Sequence, residues 1–169
     1  PDLLDILISD HSSGKTLVWG TNNYSNRGIG YYEDNHIFVK LITGYNHNII
    51  KPRINKSQKE QKKRSKDMAE VFTPSWMCNK QNNLVDEAWF GYKDSFNIEN
   101  QDNTWTSTDK VNFGDKSWQD YVDLERLEIT CGEAPYLVSR YDATSGEYIE
   151  IKDRIGLLDR KLRAINENV

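Results

Sequence analysis

Residues 127–142 decide the reading: Leu127-Glu128-Ile129-Thr130-Cys131-Gly132-Glu133-Ala134-Pro135-Tyr136-Leu137-Val138-Ser139-Arg140-Tyr141-Asp142. The stretch opens as a short alternation, with Leu127, Ile129 and Cys131 on one side, behind residues 120–125 with Asp120, Asp123 and Glu125. That spacing predicts a strand entering a sheet. The pattern breaks at Gly132, passes Ala134 and Pro135, and resumes with Tyr136, Leu137, Val138 and Tyr141. A strand, a tight small-residue turn and a helix start together bring backbone N–H groups up to a ligand. A single Cys-Gly turn is weak evidence, because most such turns only join a strand to a helix.

Residues 128–137 resemble, in register, the cofactor motif of amino-group DNA methyltransferases, Asp-Pro-Ala-Cys-Gly-Ser-Gly-Ala-Phe-Leu. Glu128 falls on the acidic position, Cys131 and Gly132 match outright, and Tyr136 and Leu137 take the aromatic and aliphatic positions. Upstream, Ala69-Glu70-Val71-Phe72-Thr73-Pro74 is similar to the Phe-Thr-Pro motif that precedes this turn in adenine-N6 methyltransferases of restriction systems. Two motifs in the family's order are more specific than either one. Residues 70–83 followed by 127–142 also look like methylation subunits of bacterial restriction–modification systems, and the likeness is best over 64–168.

The departures are specific. The family's second glycine is Ala134 here, and Glu133 stands where Ser or Thr is usual. Alanine enters positive φ only at a cost, so the expectation is a turn shaped differently from a glycine-rich loop. Glu133-Ala134-Pro135-Tyr136 is not a degenerate catalytic Asn-Pro-Pro-Tyr, since that reading leaves Cys131-Gly132 unexplained and lacks the amide. Neither Asn-Pro-Pro-Tyr nor Asp-Pro-Pro-Tyr occurs in the sequence.

At 169 residues the chain is long enough for one ordinary core. Its mean hydropathy of -0.79 is low for a self-sufficient domain, so some apolar faces are expected to await a partner. With no initiator Met and an unterminated pattern at 161–169, the sequence reads as a fragment of a longer polypeptide. The net charge of -4 argues against a nucleic-acid coat over the whole surface but leaves room for a basic patch. Cys78 and Cys131 lie far apart, with neither a metal spacing nor a disulfide framework, and fit a reducing cytoplasm. No stretch reaches membrane-spanning length, and no signal peptide is evident.

Residues 1–50 read as a small β-rich region, with an apolar run at 3–8 and strands at 16–19 and 37–43. Ser13-Gly14-Lys15-Thr16 lacks the first glycine of a phosphate-binding loop and reads as a hairpin turn. Residues 51–67 form a basic linker or helix: over 51–66, Lys51, Arg53, Lys56, Lys59, Lys62, Lys63, Arg64 and Lys66 stand against Glu60. The usual fate of such a run is a solvated connector, and the functional alternative is contact with phosphates.

Pro74 starts a predicted helix over 75–89, with Trp76, Met77, Leu84, Val85 and Trp89 on its apolar side and Asn79, Gln81, Asn82 and Asn83 between. Residues 91–121 read as an irregular insertion anchored by Phe96, Trp105, Phe113 and Trp118. A short strand is expected at 148–151. There Glu150-Ile151-Lys152, with Asp142 as the nearest further acid, fits the end of a metal-dependent nuclease site, although the tripeptide is common by chance. A last helix over 154–166 places Ile155, Leu158, Leu162 and Ile165 on one face.

The resemblance implies an α/β fold: 68–169 as the N-terminal part of a Rossmann-like methyltransferase domain, preceded by the small β-rich region. It implies S-adenosylmethionine as cofactor, cradled by Phe72, Thr73, Pro74, Glu128, Cys131 and Gly132, with Asn79 nearby and Asp159 a poor candidate for the ribose. None of these is a catalytic acid or base. The implied chemistry is methyl transfer to the amino group of an adenine extruded from double-stranded DNA. The catalytic motif lies outside these residues, so they are expected to be inactive alone. A restriction or specificity subunit is a further implied partner, the location cytoplasmic, and a membrane role is not implied. The alternatives are a non-catalytic DNA-binding or interaction module on a degenerate methyltransferase scaffold and, behind it, a metal-dependent restriction nuclease.

Overall fold

The computed structural model describes residues 2–67, 69, 71–129 and 132–169, without the side chains of Lys63 and Arg64. The chain divides into two compact units, Pro1–Lys51 and Pro52–Val169.

In the first unit the apolar run at 3–8 forms a helix, α1 (Leu3–Leu7). It leads into a hairpin of β1 (Ser9–Asp10) and β2 (Lys15–Thr16). The turn between them, residues 11–14, ends on Ser13-Gly14 of the Ser-Gly-Lys-Thr stretch, whose Lys15-Thr16 forms β2. Asp10 accepts hydrogen bonds from Ser12 N, Ser12 Oγ and Ser13 Oγ, and Gly14 sits at φ +69°. These bonds, led by that from the Ser12 hydroxyl, hold the Asp10 carboxyl below the usual range. Residues 17–19 pair with 34–37 through Trp19 N to Asn35 O and Ile37 N to Leu17 O. The strand expected at 37–43 is instead a single helical turn, α2 (Val39–Ile42). That turn brings Leu41 and Ile42 onto the core of Trp19, Tyr31 and Ile49. The polar ends of the core rings reach carbonyls, Trp19 Nε1 to Gly30 O and Tyr31 Oη to Leu41 O, both 3.0 Å.

The second unit opens with the basic helix α3 (Gln58–Asp67) and the long helix α4 (Ser75–Phe90). The start of α4 follows Pro74, and Gly91 at φ +84° ends it by donating to Glu87 O. The antiparallel hairpin β3 (Asn97–Glu99) and β4 (Trp105–Ser107) follows, then α5 (Trp118–Asp123) and α6 (Leu157–Asn168). Phe90, Phe96, Val111, Tyr121 and Ala164 make its core, with Trp89 and Phe113 packed against them. Phe96 and Phe113 thus pin the 91–121 stretch from inside, and Trp105 fastens it by donating from Nε1 to Asp153 O, 2.7 Å.

The faces of α4 and α6 depart from the sequence expectation. On α4 the buried positions are Ser75, Cys78, Asn79, Asn82, Asp86 and Phe90, whereas Met77, Leu84 and Val85 are exposed. On α6 Leu157, Arg160 and Ala164 are buried, and Leu158 and Leu162 are exposed. Burying the polar stripe works because its side chains find partners, Arg160 Nε excepted. Asn79 and Asn97 exchange amide hydrogen bonds at 2.9 and 2.8 Å. Asn82 Nδ2 donates to Tyr136 O and Ile155 O, both 2.9 Å. Arg160 reaches Asp86 at 2.6 Å, Asn79 at 2.9 Å and Asn83 at 2.7 Å, and Tyr121 Oη donates to Asp86 at 2.9 Å.

The strand expected at 127–131 is absent over 127–129, and Thr130 and Cys131 lie outside the described residues. Leu127 is 84% exposed and Ile129 74%. The strand expected at 148–151 reduces to one bridge, Tyr141 with Tyr148, followed by a 3₁₀ turn at Ile151–Asp153. Among the described residues the named strands form two antiparallel pairs, and the parallel sheet that the resemblance implies is not among them. No helix among the described residues is long and apolar enough to cross a membrane.

Candidate functional site

Two stretches some sixty residues apart in sequence meet in the second unit. Phe72, Thr73 and Pro74 run extended into α4, and all three are half-buried. The Phe72 ring lies against Gly132: a Cβ built there would stand 3.6 Å from the Phe72 ring edge. The Tyr136 hydroxyl lies among the side chains of Thr73, Cys78 and Glu128. Asp142, from the far end of the turn, donates nothing and accepts four bonds. Its Oδ2 takes Ser75 N at 2.6 Å, and its Oδ1 takes Thr144 N, Thr144 Oγ1 and Ser145 N. Burial opposes ionisation of Asp142, but these bonds more than offset it and hold the carboxyl well below its usual range.

The turn itself is shaped by two residues in the left-handed region, Gly132 at φ +51° and Ala134 at φ +50°. The sequence expectation was that alanine would give a different turn. Instead Ala134 adopts the conformation that favours glycine, and Leu137 N and Val138 N both close on its carbonyl. Glu128 accepts from Leu137 N at 3.1 Å. Its burial raises its pKa above the ordinary carboxylate value, opposed by the N–H groups of Leu137 and Tyr136. Glu133, the other departure, is paired: Oε1 accepts from Arg53 N at 2.6 Å and Oε2 from Tyr141 Oη at 3.1 Å. Burial, then the Glu133 carboxylate, pushes the Tyr141 phenol up to about 12.

Of the six residues singled out for a cofactor, five are brought into this one cluster: Phe72, Thr73, Pro74, Glu128 and Gly132. Cys131 lies outside the described residues. Asn79 is elsewhere, buried against Asn97 and Arg160. Asp159 is not free for a ribose, because its Oδ2 accepts from Ser139 N at 2.8 Å and Ser139 Oγ at 3.2 Å. Ser139 Oγ in turn accepts from Ile155 N and Gly156 N, capping the entry to α6.

Three members of the cluster were not foreseen. Arg53 lays its guanidinium over the Phe72 ring at 4.6 Å. Asp142 ties the turn to the start of α4, a role signalled only by the turn-forming Asp-Ala-Thr-Ser-Gly that it begins. Cys78 lies under the cluster, where burial, then the Glu128 and Asp142 carboxylates, pushes its thiol up to about 12. No sequence signal announced the first or the third.

Residues of the cluster line two cavities. One, of about 690 Å³, includes Ala134, Leu137, Val138 and Lys161, and the other, of about 540 Å³, includes Pro74, Trp76, Trp105 and Asp142. Both fall in the range that takes a small organic ligand. The chemistry on offer is binding by a carboxylate and aromatic faces, since the N–H groups of Leu137 and Val138 already bond to Ala134 O. No group of three or more His, Cys, Asp or Glu among the described residues is arranged to hold a metal ion. Among the described residues the Glu150-Ile151-Lys152 stretch therefore has no such group around it.

Comparison with protein-family models, with curated proteins and with solved structures finds no match to this chain.

Proposed function

We propose that this chain is the N-terminal part of an S-adenosylmethionine-dependent DNA adenine-N6 methyltransferase of a restriction–modification system. The observation that supports the reading is the convergence of Phe72-Thr73-Pro74 on the turn at Gly132 and Tyr136, since two motifs recognised separately in sequence end in one cluster. Phe72, Thr73, Pro74, Glu128 and Gly132 would hold the cofactor, with Cys131 the sixth by sequence. The Rossmann-like sheet, double-stranded DNA as substrate, a restriction or specificity subunit as partner and a cytoplasmic location belong to the same proposal. Both motifs precede the catalytic tetrad in the family's order, so these residues supply cofactor binding without the group that holds the adenine.

A second reading, a non-catalytic module on the same scaffold, is favoured by one observation. Ala134 stands where the family has its second glycine, and Glu133 is tied to Arg53 and Tyr141, so the turn departs from a working cofactor loop. Isothermal titration with S-adenosylhomocysteine separates the two. Saturable heat that disappears in Gly132→Asp supports the methyltransferase reading. A titration that is flat at millimolar ligand both here and on the full-length parent leaves the module, whereas heat on the parent alone marks an incomplete site.

A further inference from the structure

We infer that the exposed lysine stripe of α3 is a docking strip for the phosphate backbone of duplex DNA, held to the candidate cofactor turn by Arg53. The inference rests on the methyltransferase reading and deepens it by naming the surface that meets the substrate.

Charge along this chain is strongly segregated. Residues 51–67 hold eight basic and two acidic side chains, while the rest of the chain holds fourteen basic and twenty-four acidic. A segment at +6 thus stands beside a remainder at -10. Such a remainder repels a polyanion, so a nucleic acid reaching this molecule is steered to the segment.

The segment is built as a rigid strip. A capping box starts α3: Ser57 N donates to Glu60 Oε2 at 2.9 Å, and Glu60 N donates to Ser57 Oγ at 3.3 Å. The one acidic side chain within the first turn is therefore spent on the cap. Gln61 faces the other way and donates to Lys56 O at 2.8 Å, which fixes the roll of the helix. Lys59, Lys62 and Lys66 then fall at i, i+3 and i+7 on one stripe, and all three are exposed.

Arg53 couples the strip to the turn. Its Nη2 donates to Ser65 Oγ on α3 at 2.8 Å, its guanidinium covers Phe72, and its N–H reaches Glu133. A phosphate held on the stripe is thereby fixed in position relative to Gly132.

The composition of α3 selects among polyanions. The helix holds no apolar residue, so it lacks the face that an interfacial helix buries in a membrane. It holds no aromatic residue either, so it offers no platform for the bases of a single strand. What remains is a row of ammonium groups spanning about 10 Å at the helical rise. At one phosphate per 3.4 Å of rise, that row matches about three phosphates along one strand of a duplex.

The test measures fluorescence anisotropy of a labelled DNA duplex across a series of salt concentrations, with the wild type, Lys59→Gln/Lys62→Gln/Lys66→Gln and Lys59→Arg/Lys62→Arg/Lys66→Arg. The expected result is a wild-type salt slope that becomes shallower by about 2–3 in the Gln variant and is kept in the Arg variant. Circular dichroism melting confirms that the exposed substitutions leave the fold intact. Duplex binding with an unchanged slope overturns the strip and leaves the methyltransferase reading standing. Preference for single strands, or for phosphatidylserine vesicles, overturns the strip as well. Loss of both duplex binding and S-adenosylhomocysteine binding in the wild type overturns the functional reading and the strip together.

Discussion

Asp142 Oδ2 stands 2.6 Å from Ser75 N, so one carboxylate joins the end of the Gly132 turn to the first residue of α4. The same carboxylate satisfies Thr144 and Ser145, and its charged form is thereby favoured in the folded state. Asp142→Asn keeps the shape and leaves one oxygen to do the work of two. At neutral pH it is expected to cost about 1–2 kcal/mol, by analogy with the loss of a helix cap. The pH dependence follows from the depressed pKa. The stabilisation by Asp142 is fully present above its unfolded value of 3.8 and is lost as pH falls below it. Thermal melts of wild type and variant should therefore differ at neutral pH and converge in acid. A gap that persists undiminished at low pH would show that the charge of Asp142 is irrelevant.

Arg160 and Asp86 form a buried ion pair, with side chains 1% and 0% exposed and a separation of 2.6 Å. Removing one partner strands the other charge in the interior. Arg160→Met or Asp86→Leu alone is expected to cost about 3–5 kcal/mol. The double variant should cost clearly less than the sum, because nothing charged is left behind. Arg160 Nε already lacks a hydrogen-bond partner, so the wild-type network leaves one donor unsatisfied. Urea denaturation of the four proteins closes the cycle. Strict additivity would mean that the two groups do not sense each other.

This pair also marks the limit of what the sequence could show. The extent of α4 was legible: residues 75–89 were expected and Ser75–Phe90 is found, since a proline start and a glycine stop are local signals. The hairpin at Ser13-Gly14-Lys15-Thr16 was legible for the same reason. The buried faces were not. Periodicity assigns burial to apolar residues, whereas α4 buries Asn79, Asn82 and Asp86 because their partners lie at Asn97, Ile155 and Arg160, far along the chain. The candidate site divides in the same way. Motif resemblance picked out Phe72, Thr73, Pro74 and Gly132, but Arg53 over Phe72 depends on where α3 folds back, which no local pattern encodes.

The turn at 132–134 and the entry to α6 yield three contrasting expectations from three small residues. Ala134 holds φ +50°, where an L side chain costs about 1–2 kcal/mol. Glycine removes that strain and loses about 0.4–1 kcal/mol to the greater freedom of the unfolded chain. Ala134→Gly should thus be neutral or stabilising by up to about 1.6 kcal/mol, although glycine elsewhere usually weakens a fold. Gly132 holds φ +51° with room for a methyl group beside Phe72, so Gly132→Ala pays only the conformational cost of about 1 kcal/mol. Gly156 has an ordinary φ of -64°, yet a Cβ there would lie 2.3 Å from Leu137 O. The obstacle is backbone, so α6 must shift away from the turn. Gly156→Ala should be the worst of the three, at about 3 kcal/mol or more, in the range of overpacked cores. The ranking by melting temperature, Ala134→Gly above Gly132→Ala above Gly156→Ala, separates strain in the chain from lack of space. If Gly156→Ala melts like the wild type, the close approach of Gly156 to Leu137 does not exist in solution.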